Sequence, residues 1–314
     1  MKPLIVLTGP TAVGKTALSV ELAKMAGGEI LSADSMQVYR GMDIGSAKIR
    51  PEETQGVPHH LIDVLDPDQE FNVVVFQKLC RQAMEGIYER GHIPILTGGT
   101  GFYIQAVLRD IDFTENEEDT GYRRRLEQLA ADRGPEALHQ MLAEVDPAAA
   151  GAIHAHNVKR MIRALEFHHL TGEKISEHNT REAGRQSPYR YCYFVLSDDR
   201  EKLYRRIEER VDQMLQAGLV EEVRRLMARG CRRDMVSMQG LGYKEILDYL
   251  AGDITLEEAV FRIKRDTRHF AKRQLTWFRR EKDVIWINKP DYGYDDRKIL
   301  EVMDGHLWRA GILP

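Results

Sequence analysis

"PLIVLTGPTAVGKT" (residues 3–16) decides how the chain begins to fold. Its first half is short, apolar and rich in β-branched residues, the pattern of a strand buried on both faces of a parallel sheet. The second half turns at Gly9 and Gly14 and enters a helix at Lys15 and Thr16. That helix carries Leu18, Leu22 and Met25 at helical spacing and closes at Gly27-Gly28. Glycine, four residues, then Gly-Lys-Thr between a strand and a helix is the phosphate-loop pattern. The glycines let backbone N–H groups point inward, the helix N-terminus adds partial positive charge, and Lys15 adds a full one. Gly9, Pro10, Thr11, Ala12, Val13, Gly14, Lys15 and Thr16 are therefore the expected cradle for a diphosphate or a nucleotide such as ATP. The Thr16 hydroxyl is the expected Mg²⁺ ligand. The pattern specifies phosphate binding and leaves the reaction open.

Outward from this loop, "EILSAD" (29–34), "VPHHLIDV" (57–64) and "HIPILT" (92–97) read as further strands, with a helix over 72–90. This alternation predicts a parallel sheet covered by helices. It breaks after Leu108. "DFTENEEDTG" (112–121) reads as an acidic linker, and 121–180 shows helical patterns without a strand. "YCYFVLS" (191–197) returns to a strand, helices are predicted over 199–216, 219–229, 242–250 and 255–280, and "DVIWIN" (283–288) is a last strand. Thr255 with Glu258 predicts a capping box for the longest helix. The expected fold is α/β: a P-loop NTPase-like parallel sheet with flanking helices over 1–112 and 190–290. An all-helical insertion occupies 113–189 and a C-terminal extension 291–314.

The 314 residues, 43% of them hydrophobic, suffice for a large core and two domains. A net charge of −4 argues against a protein that coats nucleic acid, though local basic patches stay open. Cys80, Cys192 and Cys231 lie far apart, which fits a reducing compartment and offers no zinc site. No signal-peptide core follows Lys2 and no apolar run reaches membrane-spanning length. A soluble, cytoplasmic, monomeric protein without membrane contact is expected.

Asp34 ends the second strand, on the edge of a parallel sheet where ligands bind; a helix cap or a magnesium contact is an equal alternative for it. "GGTG" (98–101) follows another strand, where small residues allow backbone to approach a ligand, or simply make a tight turn capped by Thr100. His59 and His60 point to opposite sides of a strand and are expected to be structural, as is Asp43. No acidic residue ends "HIPIL", which argues against routine nucleotide hydrolysis. "RIKRDTRHFAKRQLTWFRR" (262–280) is a cationic stripe with only Asp266 opposing it in sequence, suited to an RNA backbone, its aromatics mostly core. Lys159, Arg160 and Arg163 open a helix of the insertion. Arg206 and Arg210, four residues apart, share a helix face from which either could reach a diphosphate.

Eight stretches in order, "GPTAVGKT", "SADSMQVYRGMDIGSAK", "VPHHLIDVLDP", "PILTGGTGFY", "NVKRMIRALE", "RVDQMLQAGLVEEV", "QGLGYKE" and "TRHFAKRQLTWFR", make the chain resemble the tRNA dimethylallyltransferase family. The likeness covers about residues 3–288. Phe102 departs from the Leu of many members, and the zinc finger of some eukaryotic members is absent, as in the bacterial type. The resemblance implies transfer of a dimethylallyl group from dimethylallyl diphosphate to the N6 amine of the adenosine 3′-adjacent to the anticodon of tRNA, with Mg²⁺ and release of pyrophosphate. It implies that the phosphate loop holds the diphosphate, that Asp34 is the general base, and that Lys15, Thr16 and one of Arg206 and Arg210 hold the leaving group. Thr100, Asp34, Ser35, Met36 and Gln37 would contact the target base. Arg123, Lys159, Arg160, Met161, Ile162 and Arg163, with Arg268, Lys272 and Arg273, would contact the tRNA anticodon arm. Two rivals are a P-loop small-molecule kinase, which leaves the basic stripe idle, and a nucleotide-switched RNA-binding protein, which gives Asp34 and Thr100 no task.

Overall fold

The computed structural model describes residues 1–113 and 120–313. These form two compact units, Met1–Leu108 with Pro188–Pro314, and Arg109–Ser187. Most of the linker expected over 112–121 lies outside the described residues.

The first unit runs β1 (Lys2–Thr8), α1 (Lys15–Ala26), β2 (Gly28–Ala33), β3 (His59–His60), α2 (Val73–Glu89), β4 (Ile93–Gly98) and α3 (Gly101–Leu108). The second holds α4 (Thr120–Arg133), α5 (Pro135–Val145), α6 (Pro147–Ala152), α7 (Val158–Thr171) and α8 (Ile175–Ala183). The chain then completes the first unit with β5 (Tyr189–Ser197), α9 (Arg200–Gln216), α10 (Leu219–Ala228), α11 (Tyr243–Leu250), α12 (Leu256–Phe278), β6 (Val284–Asn288) and α13 (Asp296–Arg309).

The six strands lie in the order β3-β2-β4-β1-β5-β6, all pairs parallel. Alternation sends Leu4, Val6, Leu31, Leu96 and Val195 into one core and Ile5, Leu7, Ile30, Ile95 and Phe194 into the other, on opposite faces. Because every strand runs the same way, their carboxyl ends share one edge, and the loops leaving β1, β2, β4 and β5 meet there.

Two expectations need correction. The strand expected over 57–64 shrinks to His59–His60 at the sheet edge, because Leu61 and Asp63 take positive φ angles of 65° and 55° that end the extended run. Residues 291–314 are no appendage: α13 buries Ile299, Met303 and Leu307 in the same core as β1 and β5. At about 1.5–3 kcal/mol per fully buried side chain, these three are comparable to the whole net stability of a typical domain. Asp295 caps α13 by accepting from Arg297 N at 2.9 Å; Thr255 caps α12 by accepting from Glu258 N at 3.2 Å, but the return half of the expected box does not form, since Glu258 Oε1 accepts from Arg262 Nε at 2.6 Å.

The helical unit has its own core of Leu126, Leu138, Leu142, Met161, Ile162 and Leu165. Asp146, 1% exposed, satisfies itself by accepting from Ala149 N, Ser176 N and Ser176 Oγ at 3.0, 2.9 and 2.7 Å.

Candidate active site

Gly14 holds φ 97° before α1 and offers no side-chain cap, so the first N–H groups of the helix stay open toward the loop. Lys15 curls over that loop, its Nζ donating to Gly9 O at 3.0 Å and Pro10 O at 2.9 Å. Burial, with Arg210 nearby, presses its pKa down to about 8, and Asp34 opposes the shift. Thr16 stands exposed in the first turn.

Asp34 follows β2 directly. Its Oδ1 accepts from Met36 N at 2.8 Å and Gln37 N at 3.3 Å, a turn that fixes the carboxylate and leaves Oδ2 without a partner among the described residues. Gln37 ties this turn to the loop around Ser46 and Ala47. It accepts from Ser32 Oγ at 2.9 Å, and its Nε2 donates to Ser46 O and Ala47 O at 3.4 Å each.

Asp34 and the phosphate loop line one cavity of about 550 Å³. Thr11, Ala12, Gly14, Lys15 and Thr16 form one side, and Ser32, Asp34, Gln37 and residues 46–50 another. Thr97, Gly98 and Gly99 lie at the end of β4, and α9 contributes Arg206, Glu209, Arg210 and Gln213. Thr100 stands one residue beyond Gly99, its N donating to Ala33 O at 3.3 Å and its carbonyl accepting from Tyr103 N at 3.0 Å as α3 begins.

The two arginines separate. Arg206 is ion-paired with the buried Asp198, which follows β5. Arg210 makes no ion pair among the described residues; burial lowers its pKa and Asp34 opposes that shift, so its charge faces the cavity uncommitted. Both line the cavity: Arg206 keeps a buried Nε without a hydrogen-bond partner among the described residues, while Arg210 has no ion-paired acid among them to engage its charge.

Sequence reasoning missed three contributors. Gln274 of α12, 6% exposed, accepts from Thr11 N at 2.9 Å and donates to Gly99 O at 3.0 Å, clamping the phosphate loop to the β4 turn. Lys289, just after β6, pairs with Asp296 at 3.2 Å and stands so near Gly14 that a β-carbon there would lie 3.2 Å from its Nζ. Thr97 Oγ1 is buried on the cavity wall without a hydrogen-bond partner among the described residues. Only Lys289 carried a signal, as a lysine after a strand.

The stripe of 262–280 is less open than its sequence implies. Lys264 pairs with Asp212 and Arg268 with Glu208, both on α9, while Arg262 meets Glu258 and Arg265 meets Asp266. Arg268 is therefore half committed to structure. Lys272, Arg273, Arg279 and Arg280 are exposed and form no ion pair among the described residues. Lys272, Arg273 and Arg280 line a shallow groove with His269, Thr276 and Trp277. The stretch's aromatics are not mostly core, contrary to expectation: Phe278 is buried, but Phe270 and Trp277 are half-buried, and Phe261 just before the stretch is 55% exposed.

In the helical unit, Lys159, Arg160 and Arg163 are exposed. Met161 and Ile162, grouped with them on sequence, are buried in the unit's core, so their side chains cannot meet RNA. Arg123 makes a two-pronged pair with the buried Glu166, both contacts at 2.8 Å, and so braces α4 against α7. His59 and His60 are structural as expected: His60 Nε2 meets Glu29 Oε2 at 2.6 Å, and His59 Nδ1 meets Val57 O at 2.8 Å.

A parallel sheet whose one edge joins the glycine-rich loop, a held carboxylate and an arginine without an ion pair among the described residues defines an α/β protein with these groups facing one cavity. The chain belongs to the IPP transferase family, whose model matches residues 37–281. It is 61% identical to the tRNA dimethylallyltransferase of Lachnoclostridium phytofermentans over 96% of this chain and 97% of that one. Identity to the tRNA dimethylallyltransferase of Geobacillus kaustophilus is 50%, over 95% and 94%. Among solved structures, the tRNA isopentenylpyrophosphate transferase of Bacillus halodurans is similar at TM-score 0.74 and 46% identity, covering 99% of this chain and 98% of that one. A eukaryotic dimethylallyltransferase acting on tRNA matches at TM-score 0.77 and 30% identity, over 92% and 74%. The chain is an enzyme of this family, with the family's α/β fold.

Proposed function

We propose that the protein transfers a dimethylallyl group from dimethylallyl diphosphate to the N6 amine of the adenosine 3′-adjacent to the anticodon of tRNA, releasing pyrophosphate. The observation that carries this reading is that Asp34 and the phosphate loop face one cavity in a member of the IPP transferase family. A kinase would have no use for the exposed cations of α7 and α12, and a binding protein no use for a carboxylate fixed beside a phosphate cradle.

In this reaction the allylic C–O bond breaks, its electron pair leaves with the diphosphate, and the adenine amine forms the new C–N bond. The lone pair of that amine is delocalised into the ring, so a base removing its proton during attack contributes about a hundredfold or more. Asp34 Oδ2, without a partner among the described residues, takes that proton while Oδ1 is held by the backbone. Charge gathering on pyrophosphate is met by Lys15, the first N–H groups of α1 and Arg210. Thr100, Ser35, Met36 and Gln37 border the place of the base. The target adenine must leave its stack to reach this cavity, which a single-stranded loop makes easier. Lys159, Arg160 and Arg163 on the helical unit, with Lys272 and Arg273 on α12, hold the RNA backbone.

The residues present fit Mg²⁺. Thr16 offers one exposed hydroxyl at the loop. That suits an ion held by one hydroxyl, the substrate's phosphate oxygens and water. When bound, Mg²⁺ supplies positive charge to the departing pyrophosphate.

The test is transfer of labelled dimethylallyl from its diphosphate to unmodified tRNA, with Asp34→Ala beside the wild type. Label in adenosine that falls at least a hundredfold in the variant, with tRNA binding retained, supports the reading. Phosphate release from ATP without transfer would overturn it.

A further inference from the structure

Glu222 is an acid buried to 1% exposure in the first turn of α10, outside the cavity, and four donors converge on its two oxygens. Oε2 accepts from Asp43 N at 3.0 Å and Ile44 N at 2.8 Å. Oε1 accepts from Gly45 N at 3.1 Å and from the Tyr243 hydroxyl at 2.7 Å. Three successive backbone N–H groups pointing at one anion form a nest, here filled by a carboxylate from 177 to 179 residues away. Tyr243, fully buried at the start of α11, lies against Gly45 so closely that a β-carbon there would sit 2.6 Å from its ring. Its pKa is raised well above 10 by burial and by the Glu222 charge, so it remains a donor.

The held segment leads straight into the cavity. Residues 46–50 line it, and the carbonyls of Ser46 and Ala47 accept from Gln37 Nε2, whose own backbone N donates to Asp34 Oδ1. A continuous set of hydrogen bonds thus runs from Glu222 through 43–47 and Gln37 to Asp34. The phosphate loop is held separately, by Gln274.

We infer that Glu222 is a positioning residue for the transfer: its buried carboxylate, steadied by Tyr243, fixes residues 43–47 and thereby the placement of Asp34 against the substrate amine. The inference rests on the proposed role of Asp34 as the base. It assigns Glu222 to the base side of the site and not to the diphosphate side, because none of its contacts reaches the phosphate loop.

The experiment uses Glu222→Gln and Tyr243→Phe in the full chain. Gln keeps the shape but puts an NH₂ group against backbone donors, leaving at least one N–H unpaired. The first measurement is amide hydrogen exchange without substrate. Exchange in 42–48 should accelerate about tenfold or more in Glu222→Gln, with 9–16 unchanged. The second is transfer kinetics. kcat should fall about ten- to hundredfold, since a misplacement near 1 Å costs that order, while KM for dimethylallyl diphosphate stays within about threefold. Tyr243→Phe, which removes one donor, should show the same kcat-over-KM pattern more weakly and serves if the first variant does not fold. Unchanged exchange in 42–48, unchanged kcat, or loss of donor affinity in step with kcat overturns the inference. Absence of transfer by the wild type overturns the reading of the function instead, and the exchange measurement still decides whether Glu222 holds the loop.

Discussion

Lys15 is placed at an energetic cost, and removing it should stabilise the protein. A fall in its pKa from the ordinary 10.5 to about 8 corresponds to roughly 3 kcal/mol between the charged and neutral forms. The unfolded chain restores the ordinary value. Between pH 8 and 10.5 the unfolded state therefore binds more protons than the native state, and wild-type stability rises with pH through this window. Below pH 8 the whole cost is present. Lys15→Met keeps the length of the side chain and removes the charge, giving up two hydrogen bonds to Gly9 O and Pro10 O that offset part of the gain. The expected net effect at pH 7 is a stabilisation of about 1–2 kcal/mol, or a few degrees in Tm. Chemical denaturation at pH 7, 8.5 and 9.5 in buffers free of phosphate measures it. The gap between variant and wild type should narrow as pH rises. Added pyrophosphate should stabilise the wild type and leave the variant unmoved. A variant less stable than wild type at pH 7, or a gap independent of pH, would refute the claim that desolvation of Lys15 dominates at this loop.

Other consequences lie elsewhere in the fold. Glu29, 2% exposed at the amino end of β2, is held by Arg90, His92 and His60, with its pKa pulled from 4.5 to about 2 chiefly by the Arg90 contact. Its contribution, up to about 3 kcal/mol, is complete above pH 4.5 and lost as pH falls toward 2, so Glu29→Gln should flatten that limb of an acid-unfolding curve. Gln274→Ala strands Thr11 N and Gly99 O and should cost about 1–3 kcal/mol while weakening binding of the diphosphate. Gly99→Ala should mimic it, since the new β-carbon would sit 2.1 Å from Gln274 Nε2 and push the clamp away; if calorimetry finds the double variant losing the sum of both effects, the two residues do not share one clamp. Charge reversal at Lys159, Arg160 and Arg163 should leave stability within about half a kcal/mol of wild type yet lower tRNA affinity and its salt dependence, whereas Met161→Ala in the same helix should cost about 2–5 kcal/mol.

The phosphate loop was legible because its signal is local: glycine spacing, Lys15 and Thr16 all act within one turn of backbone. Asp34 could be placed at the right edge because a parallel sheet forces every strand end to one side. Helix α13 was legible in principle, since Ile299, Met303 and Leu307 repeat at four-residue spacing behind an Asp cap, but the aromatic and charged residues among them hid the stripe. Gln274 and Glu222 were not legible. Each is a polar residue on an amphipathic helix, and in sequence nothing distinguishes such a residue facing water from one turned inward to a loop far away along the chain. The acids of α9 that neutralise part of α12 were hidden for the same reason.

By itself the sequence determined the strand-loop-helix unit with the phosphate-loop pattern, the parallel alternation beyond it, and the composition of a basic face, because these depend on residues within a few positions of one another. Only the tertiary structure decided which arginine is left uncommitted, which of the cations stay open to an RNA, and what holds the phosphate loop and the Asp34 turn in place. Those outcomes depend on which distant side chain arrives first at a buried donor or acceptor, and burial makes each such pairing exclusive.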